Sequence, residues 1–213
     1  MSKLRITEIF YSLQGETDTV GLPTVFVRLT GCPLRCNYCD TEYAFKGGQM
    51  MNIEAILAKV ASYQPRYVTV TGGEPLAQPN CHSLLTALCD RDYGVSLETS
   101  GAFSISKVDK RVIKIVDFKT PASNEVQQNL YQNIAYLLPN DQVKFVICNN
   151  DDYDWAKQQI VLHRLAEKCK ILFSPSHDQY SPTVLAEQIL ADNLPVRLQI
   201  QLHKYLWGDV AGK

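Results

Sequence analysis

Short β-branched runs alternate with helix-period segments along nearly the whole chain, and this alternation restricts the fold more than any other feature. Strand-like runs fall at 24–29 (TVFVRL), 66–71 (RYVTVT), 95–98, 112–118, 143–148, 170–173 and 196–202. The chain start is also strand-like. Between these runs, apolar residues recur at threes and fours over 53–63, 80–91, 124–137, 152–168 and 182–192. Asn52 is placed to cap the first helix; Ser181, followed by Pro182, is placed to cap the last. Strand and helix in turn imply parallel strands joined by right-handed crossovers. With 213 residues, the chain falls short of the ~250 of an eightfold barrel. The expectation is one α/β domain over 1–213, a truncated β/α barrel of about six parallel strands with helices outside.

In such folds ligands gather at the carboxyl ends of the strands. The unusual residues fall there: three cysteines after one strand, 72–75 (GGEP) after the next and 98–101 (ETSG) after the third. The formal net charge of -1 gives no basis for nucleic-acid binding through phosphate neutralisation. No apolar run approaches the ~20 residues of a membrane span, and the start lacks a signal-peptide core. A cytoplasmic protein with no nucleic-acid or membrane partner is expected. Seven cysteines, an odd number in a reducing compartment, do not read as a disulfide framework. Cys81, Cys89, Cys148 and Cys169 lie in apolar contexts and read as small buried hydrophobes.

The decisive segment is GCPLRCNYCD at 31–40, with Cys32, Cys36 and Cys39 in eight residues. A structural zinc ion takes four ligands, often as two pairs, and no second pair is evident in the sequence. A redox pair at Cys36 and Cys39 leaves Cys32 unexplained. Three thiolates on one loop can hold three irons of a cubane and leave the fourth open to a small molecule. Ordinary thiols, or a zinc site completed from afar, remain as alternatives.

The cysteine spacing, with TGGEP at 71–75 closing the next strand, resembles the radical S-adenosylmethionine superfamily. The resemblance implies a [4Fe–4S] cluster on Cys32, Cys36 and Cys39 and S-adenosylmethionine on the open iron. It also implies the fold type of that superfamily's partial barrel. Tyr38 matches an aromatic that approaches adenine. Asp40, Gly73 and Glu74 are implied as cofactor contacts beside Cys39, and Asp117, Phe118 and Lys119 as further ones.

The resemblance is closer still, along nearly the whole chain, to the 7-carboxy-7-deazaguanine synthase family. It is carried by FYSLQGE at 10–16, FVRLTG at 26–31, the cysteine loop into Asp40 and Thr41, TGGEP at 71–75, ETSG at 98–101 and QLHKY at 201–205. It implies a carbon–nitrogen lyase of queuosine biosynthesis that contracts the ring of 6-carboxy-5,6,7,8-tetrahydropterin, with loss of ammonia. Mg2+ on Thr41, a flavodoxin- or ferredoxin-type electron donor and a homodimer are implied with it. For the pterin it implies Leu13, Gln14, Gly15 and Glu16 at the ring edge, Arg28 on the carboxylate, and Thr71 and His203 nearby. Each has a plainer reading: Gln14 and Glu16 as a solvated turn, Arg28 as a surface cation, Thr41 as a local cap, His203 as a structural histidine. Two other functions stay open from sequence: a radical activase acting on a partner protein's glycine, and a zinc-binding interaction module.

Overall fold

The computed structural model describes residues 2–208 and 210–212; the single-domain expectation over 1–213 includes Met1, Asp209 and Lys213, outside those described. Six strands lie parallel and adjacent: β2 (Pro23–Leu29), β4 (Tyr67–Gly72), β5 (Gly94–Thr99), β6 (Ile113–Asp117), β7 (Gln142–Ile147) and β8 (Lys170–Pro175). The two-residue β9 (Arg197–Leu198) continues the parallel series. At the other side β1 (Lys3–Leu13) runs antiparallel to β2, and β3 (Gln49–Asn52) antiparallel to β1. The order β3-β1-β2-β4-β5-β6-β7-β8-β9 is an open sheet, the partial barrel that the alternation implies.

Period-two patterning sorts each strand between two environments. Val25, Val27, Leu29, Val68, Val70, Val95, Leu97, Val143, Phe145, Ile171 and Phe173 belong to the core. There they meet Ile56, Leu57 and Val60 of α1 (Ile53–Ala61), Leu84, Leu85 and Leu88 of α2 (Cys81–Cys89), Ala156 and Ile160 of α3 (Asn150–Leu162) and Leu185 of α4 (Pro182–Ala191). The alternate residues, among them Phe26, Arg28, Thr71, Glu98, Asp117, Lys144 and Ser174, line a cavity inside the sheet's curve.

In β1 the parity changes midway. Ile6 pairs with Leu29 but Glu8 pairs with Arg28, so a bulge at Thr7 inserts one residue. Before it, Leu4 and Ile6 pack into the core; after it, Ile9 packs on the core and Phe10 lines the cavity, stacked on Phe26 at 4.9 Å. The bulge therefore turns Glu8 and Phe10 inward.

Asn52 caps α1, its Oδ1 accepting from Ala55 N at 2.7 Å, and Ser181 caps α4 ahead of Pro182. Three expectations are corrected. Residues 124–137 form no α-helix but 3₁₀ turns at Val126–Gln128 and Tyr131–Tyr136, following another at Pro121–Ser123. Here Asn124 is left-handed (φ 60), Leu130 N donates to Gly101 O, and the Asn129 and Asn133 side chains bond the backbone of Lys119 and of Gly101, Phe103 and Ile105. Bonds to neighbouring loops replace the helical ladder. The helix placed at 152–168 ends at Leu162, because Arg164 is left-handed (φ 51). The strand placed at 196–202 keeps only two residues: Leu202 N donates to Gly15 O at 3.0 Å and the chain turns into α5 (Leu202–Trp207). Cys81, Cys89 and Cys169 are buried and Cys148 half-buried. Among the described residues no helix is long and apolar enough to cross a membrane.

Candidate active site

The cavity, about 460 Å³, falls within the range of small-molecule sites. At one end the cysteine loop leaves β2 through Gly31 (φ 98), whose N–H donates to Ala44 O at 2.8 Å. Arg35 braces the loop from within, its Nη1 donating to Cys32 O at 2.8 Å and Leu34 O at 2.6 Å. All three thiols line the cavity. Burial pushes each of them up, Cys36 to about 11 against the opposing charge of Lys119, so metal loading must displace protons. Among the described residues no three Cys, His, Asp or Glu side chains converge where one ion would sit. Three thiols bordering one cavity suit a cluster, whose separate iron corners each take one thiolate.

Gly72 and Gly73 both line the cavity, but their tightest constraint is protein. A Cβ on Gly73 would lie 2.3 Å from Gly31 O and 2.9 Å from Cys32 Cβ; one on Gly72, 2.3 Å from Leu29 O. Gly73 N donates to Leu29 O and Glu74 N to Gly31 O (3.1 and 2.7 Å), docking the end of β4 under the cysteine loop. Glu74 is fully buried behind the wall. Its carboxylate accepts from Leu76 N, Thr99 Oγ1, Ser100 N and Ser100 Oγ at 2.6–3.0 Å, which ties the ends of β4 and β5 together.

Beside the thiols, Lys119 Nζ lies 3.3 Å from Asp117 Oδ2 and 5.6 Å from the centre of the Tyr38 ring. Burial pulls this ammonium down, but Asp117, Tyr38 and Cys36 more than offset it, and Lys119 stays charged. Asn129 clamps its backbone on both sides. Asp117 Oδ1 and the Tyr38 hydroxyl are buried with no hydrogen-bond partner among the described residues. Buried polar atoms are ordinarily satisfied, so this pair fits a polar ligand. Phe118 points the other way, into the core against Tyr131 and Phe145.

The far end is a web of charges. Lys144 Nζ contacts Glu16 Oε2 at 2.8 Å and Asp117 Oδ2 at 3.4 Å. Gln14, only 2% exposed, donates to Thr69 and Glu98 and accepts from Glu16 N. Thr71 Oγ1 donates to Glu98 Oε2 at 2.9 Å. Burial, then the charge of Glu16, raises the Glu98 carboxyl; Lys144, Thr71 and Arg28 oppose the shift. Arg28 lines the wall with Nε on Glu8 Oε1 at 2.7 Å, between the rings of Phe10 and Tyr43. Leu13 and Gly15 line the floor beneath His203, and a Cβ on Gly15 would lie 2.1 Å from His203 Nδ1. Burial pushes His203 below its ordinary range, against Glu16 and Asp40. Thr41 Oγ1 donates to Asp40 Oδ1 at 2.8 Å; Gln201 bonds both Asp40 Oδ2 and Glu16 Oε1. Burial would raise Asp40, but Thr41, Lys204 and Gln201 hold it below its ordinary range.

Every residue read from the sequence as a contact lines this one cavity except Glu74 and Phe118, which stand behind it. Glu8, Lys144, Glu98 and Tyr43 were not singled out as contacts. For Lys144 and Glu98 a signal existed: each is an ionisable residue at an inward position of a strand whose alternate neighbours are core.

Residues 26–116 match the Radical SAM superfamily. The 7-carboxy-7-deazaguanine synthase of Chlorobaculum tepidum is 46% identical over 98% of this chain and 96% of its own length. That of Koribacter versatilis is 42% identical over 96% and 97%. Among solved structures, QueE from Escherichia coli superposes with a TM-score of 0.79 at 23% identity, covering 94% of this chain and 95% of that one, which supports the fold. Sequence, fold and the donor set of the cavity agree: the chain belongs to the 7-carboxy-7-deazaguanine synthase family of radical S-adenosylmethionine enzymes.

Proposed function

We propose that the cavity binds 6-carboxy-5,6,7,8-tetrahydropterin and that the enzyme converts it to 7-carboxy-7-deazaguanine with loss of ammonia, the activity for which its relatives are named. One observation carries the reading: the thiol trio lines the same cavity as Arg28, Glu16 and Glu98, groups suited to a carboxylate and an amine. Cys32, Cys36 and Cys39 hold the [4Fe–4S] cluster, and Tyr38, Asp40, Gly73, Asp117 and Lys119 surround S-adenosylmethionine. Glu74 and Phe118 act on that half from behind, fixing the loop after β4 and the backbone before Lys119. When bound, cluster and S-adenosylmethionine supply a carbon-centred radical that abstracts hydrogen from the substrate.

The chain's own residues bind and orient. The Arg28 fork takes the pterin carboxylate, and a charged, planar donor suits that group. Glu16, Thr71 and the backbone at 13–15 face the ring edge, with Gln14 fixing Glu16 from below. Glu98, raised by burial, retains a proton at higher pH than an ordinary carboxyl; this suits it to supply one to a departing amine. His203, pushed toward its neutral form, caps the floor. Thr41 and Asp40 present hard oxygen donors for Mg2+. We further propose that the chain works as a single domain, reduced by a flavodoxin- or ferredoxin-type protein, as a cytoplasmic homodimer; the family resemblance supports these points.

The test is anaerobic incubation of the iron-loaded protein with the carboxypterin, S-adenosylmethionine and a reductant, followed by mass spectrometry. Formation of 7-carboxy-7-deazaguanine and ammonia is expected. A brown protein that cleaves S-adenosylmethionine yet leaves the pterin unchanged overturns the assignment.

A further inference from the structure

Arg28 does not stand alone on the wall. Its cross-strand partner is Glu8, which reaches the cavity face only because the bulge at Thr7 shifts the register of β1 by one residue. Without that insertion Thr7 would stand opposite Arg28. The bulged Thr7 is itself held, its Oγ1 2.7 Å from Thr30 Oγ1. Glu8 Oε1 accepts from Arg28 Nε at 2.7 Å and from the Tyr43 hydroxyl at 2.8 Å. The guanidinium is fixed on one edge by Glu8 and flanked by two aromatic rings at 5.8 Å. Among the described residues, neither terminal nitrogen of the fork has a hydrogen-bond partner.

We propose that Glu8, aimed by the bulge and steadied by Tyr43, is a positioning residue that orients the Arg28 fork and so sets the enzyme's preference for a carboxylated pterin over the same ring without the carboxylate. This rests on Arg28 as the carboxylate reader. A guanidinium anchored through Nε presents its two terminal amino groups side by side, the geometry a carboxylate accepts in parallel. Unanchored, the same cation attracts the carboxylate but loses the paired alignment. The selectivity therefore resides in orientation as well as charge.

The experiment measures equilibrium binding of 6-carboxytetrahydropterin and of tetrahydropterin lacking the carboxylate to anaerobically reconstituted enzyme, by calorimetry. The proteins are wild type, Glu8→Ala, Glu8→Gln and Arg28→Ala, with KM and kcat measured alongside. Glu8→Ala is expected to weaken the acid roughly ten-fold to a hundred-fold, the scale of a hydrogen bond to a charged group. It should leave the decarboxylated ring nearly unaffected and raise KM more than it lowers kcat. Glu8→Gln, which still offers an accepting oxygen, should recover much of the preference even if Glu8→Ala folds poorly. Equal weakening of both ligands in Glu8→Ala and Glu8→Gln marks a merely structural role and overturns the proposal. So does an unchanged preference in Glu8→Ala while Arg28→Ala abolishes it, an outcome that leaves the Arg28 reading standing. An unchanged preference in Arg28→Ala removes that reading and the proposal with it.

Discussion

Replacing Lys144 by methionine keeps most of the side-chain volume and removes one charge from the web at the cavity's far end. Lys144 is 16% exposed; its partners Glu16 and Asp117 are 13% and 18% exposed, so solvent screens these contacts poorly. Removing one partner of a buried ion pair costs about 3–5 kcal/mol. The lower bound applies, because Asp117 keeps Lys119 at 3.3 Å and Glu16 keeps Gln201 at 3.0 Å. About 3 kcal/mol corresponds to roughly 6–12 °C in Tm for a chain of this length. The sign of the pH dependence follows from Glu98. Lys144 opposes the rise of its carboxyl, so the variant's native state holds that proton to higher pH than the unfolded chain does. Where the native state binds more protons, stability rises as pH falls. The deficit should therefore be larger at a pH above the carboxyl's raised range than at one below it, and adding Glu16→Gln should recover part of it by removing a stranded charge. Urea denaturation of the anaerobic holoenzyme, followed by fluorescence at both pH values, measures this. A deficit under about 1 kcal/mol, the scale of an exposed pair, or one that does not change with pH, refutes the view of Lys144 as a buried counter-charge.

Gly73→Ala should lower the iron bound after anaerobic reconstitution while circular dichroism stays native, because the added Cβ meets backbone at Gly31 and Cys32 Cβ; wild-type iron content would show that the cysteine loop tolerates the displacement. Lys114→Met should destabilise by about 3–5 kcal/mol, seen as a lowered denaturation midpoint, because its 2.8 Å partner Asp141 is 2% exposed. Asp141→Leu should not rescue it, since the same carboxylate accepts from Lys114 N and Leu138 N. Thr41→Ala should weaken the stimulation of turnover by Mg2+ and spare reductive cleavage of S-adenosylmethionine; an unchanged magnesium response counts against Thr41 as a ligand.

The parallel core was legible because each inner strand carries its own parity: in 143–147, Val, Phe and Ile face the helices while Lys144 and Val146 face the cavity. The cysteine loop was legible from its spacing together with TGGEP at the end of the next strand. The glycine pair after β4 was located correctly, but its tightest contact is with the cysteine loop, and no local pattern reports which backbone lies against a glycine. Residues 124–137 have helical periodicity but not helical bonding, since Asn129 and Asn133 reach loops remote in sequence. Glu8 was hidden for a different reason. A strand read at strict period two places Leu4, Ile6, Glu8 and Phe10 on one face, and only the pairing of β1 with β2 reveals the inserted residue.

Six full parallel strands leave a barrel with an open side, and the chain bridges it with the segment that follows β1. β1 is antiparallel to β2, so its end lies beside the start of β2, at the floor of the cavity. From there residues 14–22 cross toward the far strands. Glu16 meets Lys144 on β7, Asp18 pairs with Lys170 on β8 and with Arg197 on β9, and Gly15 O accepts from Leu202 N of α5. The Asp18 pairs are partly exposed and individually weak, roughly 0–1 kcal/mol each. The better-buried Glu16–Lys144 contact is the strongest of these ion pairs and works beside the buried Gln14 bonds to Thr69 and Glu98. That ion pair thus ties the floor to β7 and, through Asp117, links Glu16 to the cysteine side of the cavity.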